Sequence, residues 1–88
     1  MSFSVYILTS LKRPRTYVGY SANVKRRLLD HNRGRVNATK FFRPWKLIHV
    51  EAKTSFIEAR LREKYWKSGA GRRNIKRILR GSPPHLKG

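Results

Sequence analysis

Two segments rich in β-branched and aromatic residues, SFSVYILTS (2–10) and TYVGYS (16–21), open the chain and are separated only by LKRPR. Each has strand composition, and the link carries the turn-former Pro14, so the two strands are expected to pair as an antiparallel hairpin. If the turn centres near Lys12–Arg13, Tyr6 faces Gly19 and Leu8 faces Tyr17, all on one side of the sheet. A slip of one residue would send that set to the other face. A glycine inside a strand often marks close approach of a ligand or another backbone. Gly19 therefore has two readings: it opens a site between two tyrosines, or both tyrosines are ordinary strand residues.

The rest of the chain alternates helix and strand signals. ANVKRRLLDHN (22–32) reads as a helix with Val24 and Leu28 one turn apart, and Gly34 stops it. A polar, basic loop follows over 33–45, then a third strand over 45–52. Thr54 or Ser55 can cap a helix reaching about Lys67. SGAG (68–71) breaks the chain before a short basic helix over 72–81. The order β-β-α-β-α-α predicts an α+β fold, a small mixed sheet with helices packed on it. Residues 1–81 make one domain, and 82–88 are expected to form a short flexible tail.

Charge narrows the partner. Lys and Arg number 22 against 4 acids, a formal net charge of +18 in 88 residues. Neutralising phosphates releases counterions, so a polyanion is the expected partner. Nucleic acid fits better than membrane, because no long basic amphipathic helix with an aromatic face stands out and no stretch approaches the roughly 20 apolar residues of a membrane span. The N-terminus lacks the basic region and cleavage site of a signal peptide, and there is no cysteine, so a cytoplasmic, nucleoid-associated setting is expected. A basic RNA- or ribosome-associated protein shares this charge. Any divalent metal must draw on Asp30, Glu51, Glu58 or Glu63.

Helical geometry sorts these candidates. Arg27 and His31 fall within roughly 60–100° of Val24 and Leu28, on the seam between core and solvent. They are either a surface arginine and a satisfied histidine, or a pair of site groups. In the next helix Phe56, Ala59, Glu63 and Trp66 share one stripe, while Ile57, Leu61 and Tyr65 form a second, so much of that helix is expected to be covered. A carboxylate among packing groups needs a partner. For Glu63 that is Lys67, four residues on, or a metal ion. Glu58 reads as a surface pair with Arg62, and Glu51 and Asp30 show no special environment.

Together these features resemble a known family. VYI (5–7) and YVG (17–19) resemble the paired motifs of the GIY-YIG nuclease superfamily. VKRRLLDHN resembles that family's helix with an arginine and, in many branches, a histidine one turn later, and EARLRE (58–63) resembles its metal-binding glutamate helix. HNRGRVNATKFFRPWKLIHVE and REKYWKSGAGR look like the small, single-domain bacterial branch of predicted endonucleases, and the resemblance runs from about Val5 to Leu79. It implies a three-stranded antiparallel sheet flanked by helices, and hydrolysis of DNA phosphodiester bonds with one Mg²⁺ or Mn²⁺ ion. By motif match, Glu63 would hold the metal, and Tyr6 and Tyr17 would line the site. Tyr6 would orient or deprotonate the attacking water. Arg27 would bind the scissile phosphate, His31 would assist proton transfer or position the phosphate, and Gly19 would keep the surface open to substrate. Val5, Val18 and Tyr20 depart from the motif, Tyr20 standing where some branches carry lysine. Asn74 is the nearest match to an asparagine found beyond the glutamate helix in some branches.

Further DNA contacts are expected from Arg33, Arg35, Lys40 and Arg43, interleaved with Phe41, Phe42 and Trp45. The aromatics either stack on bases or anchor the loop, with Trp45 expected inside. Arg72, Arg73, Lys76, Arg77 and Arg80 would form an outward ridge over Ile75, Ile78 and Leu79. Such contacts position a backbone without reading sequence. The expectation is a DNA endonuclease of low sequence specificity, acting in repair or recombination. The alternative is a catalytically inactive DNA- or RNA-binding module.

Overall fold

A computed structural model describes residues 2–81. The expected tail at 82–88 lies outside the described residues. Strands β1 (Phe3–Ser10), β2 (Thr16–Ser21) and β3 (Trp45–Lys53) and helices α1 (Val24–Asn32), α2 (Phe56–Lys67) and α3 (Gly69–Leu79) follow one another, with a 3₁₀ turn at Lys40–Phe42 before β3. The sheet order is β2-β1-β3, antiparallel throughout. In the hairpin Tyr6 pairs with Gly19 and Leu8 with Tyr17, the register that places both tyrosines on one face.

The central strand is covered on both sides: Val5, Tyr6, Ile7 and Leu8 are all buried. Val5, Ile7 and Val18 pack with Ala59 and Trp66 of α2 and Ile75 of α3. On the opposite face Tyr6 and Leu8 pack with Trp45, Val24, Leu28 and Phe42, under α1 and the long loop. Trp45 is inside, as expected, and its indole N–H donates to the Thr39 carbonyl oxygen at 2.9 Å.

Caps set the helix boundaries. Asn23 caps α1 by accepting the Arg26 amide at 3.0 Å, so the helix begins at Val24 rather than at residue 22. Gly34 ends it with φ +78°, a left-handed conformation that suits glycine. Ser55 caps α2 by accepting the Glu58 amide. SGAG departs from its reading as a break. Ser68 both ends α2 and caps α3, accepting the Gly71 amide at 3.3 Å, and α3 starts at Gly69 rather than at Arg72. A Cβ at Gly71 would overlap the Tyr65 carbonyl oxygen and the Trp66 backbone, so this glycine permits the tight α2–α3 corner.

The face of α2 also differs from expectation. The Ala59–Trp66 stripe is buried, but Ile57 and Leu61 are 71% and 62% exposed, so the second stripe is largely uncovered. Arg62 turns away from Glu58 and forks onto Glu51, donating at 3.0 Å to each carboxylate oxygen. Trp66 adds an indole N–H to Glu51 at 3.1 Å, and His49 Nε2 lies 3.3 Å away. Glu51 is therefore a clasp between β3 and α2, not an unremarkable strand end. Burial alone would push its carboxyl up. The hydrogen bonds from Arg62, Trp66 and His49, with the Arg62 charge, outweigh that and hold it near 2.

Candidate active site

The hairpin register lays Tyr6 across Gly19. A Cβ at that position would stand 2.7 Å from the Tyr6 hydroxyl and 2.9 Å from the Tyr17 ring. The glycine is what lets the two phenols share this patch, with ring centroids 6.3 Å apart.

The last turn of α1 brings His31 onto the same patch. His31 is fully buried, with its ring 4.9 Å from that of Tyr17. Its Nε2 lies 2.8 Å from the Tyr6 hydroxyl, and its Nδ1 lies 2.8 Å from Thr39 Oγ1. Thr39 is itself buried, and its hydroxyl donates to the Val36 carbonyl oxygen at 3.4 Å. With its proton used there, Oγ1 accepts from His31 Nδ1–H, which leaves Nε2 bare. A bare ring nitrogen only accepts, so across the 2.8 Å contact the Tyr6 O–H donates to His31 Nε2. The result is a chain from Tyr6 through His31 to Thr39 with every donor facing an acceptor.

Charge and burial tune this chain. Burial, with the Arg27 charge added, lowers the His31 pKa below its ordinary value, against a smaller opposing effect of Asp30. His31 is thus neutral at pH 7. Burial is also the largest effect on Tyr6, followed by Tyr17; Arg27 pulls the other way, Glu63 adds a small rise, and the phenol ends at about 12. Tyr6 is therefore a protonated phenol at neutral pH, hydrogen-bonded to a bare imidazole nitrogen.

Glu63 is largely buried, with its side chain 15% exposed, and Lys67 Nζ donates to its Oε2 at 3.2 Å. Lys67 is one of the two partners that the position of Glu63 allows. Its Oε1 takes no hydrogen bond among the described residues, and no fully buried polar side-chain atom is left unsatisfied, so Oε1 meets solvent. Among the described residues no group of three or more His, Cys, Asp or Glu side chains could cage an ion. One solvent-facing carboxylate oxygen is still a hard donor. It fits a weakly held Mg²⁺ or Mn²⁺ whose shell is completed by water and phosphate.

Tyr6, Tyr17, Gly19 and His31 therefore share one patch, and Arg27 and Glu63 lie near enough for their charges to act on the Tyr6 phenol. The other candidate residues are spread more widely. Arg72, Arg73, Lys76 and Arg77 are exposed on α3, as the helical pattern implied. Arg33 is exposed beyond α1; Arg35 is also exposed but pairs with Asp30 at 3.4 Å. Arg43 donates to the Lys40 carbonyl oxygen at 2.6 Å and covers Gly34, so it ties the loop together. Lys40 sits over the ring of Phe41, which is 71% exposed, whereas Phe42 joins the core. Asn74 contradicts its expected role as a nucleic-acid contact. It is buried, and its amide donates to the Tyr65 hydroxyl at 2.6 Å, because its place on α3 faces α2. Thr39 escaped the sequence reading: nothing local distinguishes it from the other polar residues of a basic loop.

Residues 2–76 match the family model of the GIY-YIG catalytic domain. This chain belongs to the GIY-YIG family. The GIY-YIG assignment agrees with the three-stranded antiparallel sheet and its flanking helices, and it implies a nuclease-type hydrolase. A UPF0213 protein from Syntrophus aciditrophicus (strain SB) is 43% identical over 49 residues, which cover 53% of this chain and 55% of that protein. The chain thus spans about half the length of this curated relative. The solution NMR structure of a UPF0213 protein from Bacillus halodurans is 31% identical, with a TM-score of 0.54 over 94% of this chain and 89% of that one. Among the described residues no helix is long and apolar enough to cross a membrane.

Proposed function

We propose that this GIY-YIG chain is a divalent-metal-dependent DNA endonuclease of low sequence specificity, acting in the cytoplasm on DNA in repair or recombination. The observation that carries the catalytic reading is the 2.8 Å contact between the Tyr6 hydroxyl and the bare Nε2 of a buried, neutral His31.

A phenol with a pKa near 12 is a poor base by itself. Coupled to His31 it becomes a relay. The Tyr6 oxygen accepts a proton from the attacking water while its own proton passes to Nε2. The water proton is thereby replaced by an imidazolium whose Nδ1–H stays on Thr39. Arg27 reaches solvent with a side chain 41% exposed, and its charge acts on the Tyr6 phenol, so it can bind a phosphate oxygen near the nucleophile. Glu63 would hold the Mg²⁺ or Mn²⁺ ion after releasing Lys67. When bound, that ion would draw charge from the phosphate oxygens and stabilise the leaving oxygen. A single carboxylate makes this affinity low in the absence of DNA.

The excess of cations supports a nucleic-acid substrate, and Lys and Arg contacts to phosphates, which position a backbone without reading bases, support low sequence specificity. The test is cleavage of single-stranded and duplex DNA with and without Mg²⁺ or Mn²⁺, beside Glu63→Ala. Metal-dependent cutting by the wild type, lost in the variant, is the expected result. Equal binding by both proteins and cutting by neither would leave a binding module in place of an enzyme.

A further inference from the structure

Two adjoining clefts that share a wall run from Tyr17 along α3 and together form a groove. Its first part, a cleft of about 630 Å³, is bounded by Tyr17, Arg15, Lys67 and Arg72, with Pro14 and Ile75 in its walls. A second cleft of about 300 Å³ shares Pro14, Arg15, Arg72 and Ile75 and carries the groove on to Lys76. No acidic residue lines either part.

The pieces come from distant stretches of sequence. The hairpin turn supplies Pro14 and Arg15, α2 supplies Lys67, and α3 supplies Arg72 and Lys76. Arg15 is steadied by stacking over Phe42 at 4.7 Å. On α3, Arg72 and Lys76 flank buried Ile75 and line the groove, whereas Arg73 and Arg77 do not. Lys67 joins the groove to the site, because it also holds Glu63.

We infer that this groove is a binding track for one polynucleotide strand leading away from the cleaved bond, with Arg15, Lys67, Arg72 and Lys76 as its phosphate-binding residues. Cations along the rim and apolar side chains in the walls match the two faces of a strand, its phosphates and its sugars or bases. Continuity with Tyr17 places the track beside the reacting phosphate. The inference rests on the nuclease reading for that placement only. It also separates two halves of α3 that charge alone makes equivalent: Arg72 and Lys76 hold the strand, and Arg73 and Arg77 contribute general attraction.

The test compares two variants with the same charge loss on the same helix, Arg72→Gln/Lys76→Gln and Arg73→Gln/Arg77→Gln. Each is titrated against a fluorescently labelled oligodeoxynucleotide in EDTA, across a salt series. The groove pair is expected to weaken binding at least fivefold more than the other pair. It should also flatten the plot of log affinity against log salt by up to about 1.4, the loss of two phosphate contacts on a single strand. Equal effects of the two pairs would overturn the track and leave diffuse charge as the whole attraction. Arg15→Gln, on the hairpin turn, gives a second reading should the helix variants lose structure: it too must weaken binding and lower the salt slope, and an unchanged affinity would count against the track. Because no cutting occurs in EDTA, a wild type that never cleaves DNA would overturn the nuclease reading without touching this result.

Discussion

At the scale of single residues, the chemistry depends on which atom holds a proton. His31 takes the Tyr6 proton only while Nε2 is bare, and burial keeps its pKa below the ordinary value. The cleavage rate should therefore rise with pH as His31 deprotonates, through an inflection below about 6.5, and run flat through neutrality. A rate that instead climbs steadily toward pH 10 would mean that Tyr6 must ionise on its own. Thr39→Val removes the acceptor that fixes the tautomer while keeping the side chain's shape. It should lower kcat by about tenfold to a hundredfold with little change in DNA affinity, and Thr39→Ser should restore most of the rate. Gly19→Ala would drive a methyl group to 2.7 Å from the Tyr6 hydroxyl. A thermal melt should show a loss of about 1–3 kcal/mol from this overpacking, with a larger fractional loss of cleavage than of folded protein.

Between elements, the clasp at Glu51 is the strongest polar tie between the sheet and α2. Its folded pKa, near 2, is depressed below the ordinary carboxylate value, so its contribution is fully present above about pH 4.5 and disappears as the pH falls toward 2. The linked free energy is at most about 3 kcal/mol. Glu51→Gln should lower stability at pH 7 and flatten the acid limb of the unfolding curve; an acid limb identical to that of the wild type would show that the clasp adds nothing. This tie was illegible in the sequence because the glutamate and its arginine lie on different elements, and only the packing of β3 on α2 joins them. Local signals carried much more of the rest. The alternating strands and their short link specified the hairpin register, and with it the Tyr6–Gly19 opposition. The spacing of Val24, Arg27, Leu28 and His31 predicts a seam position for both candidates; Arg27 keeps it, whereas His31 is fully buried in contact with Thr39 of the long loop. The α2–α3 corner was misread because glycines suggest a break, whereas Gly71 serves close packing inside a helix. The exposed stripe of Ile57 and Leu61 was misread because helical periodicity shows which residues share a face but not whether anything covers it. Thr39 owes its role to the path of a long loop, which no periodicity describes.

For the molecule as a whole, a net charge of +18 draws any polyanion, so binding alone says little about function. What separates an enzyme from a basic binding module is the small buried patch where Tyr6 and His31 meet under the charges of Arg27 and Glu63. Tyr6→Phe isolates that patch, since it keeps the ring that packs with Leu8 and Trp45 and deletes only the oxygen. Single-turnover cleavage of labelled DNA in Mg²⁺, measured beside DNA affinity, is the most direct test. The account predicts affinity within about twofold of the wild type and a cleavage rate lower by about 10²–10⁴, the range of a lost general base. Cleavage by Tyr6→Phe at close to the wild-type rate would contradict it.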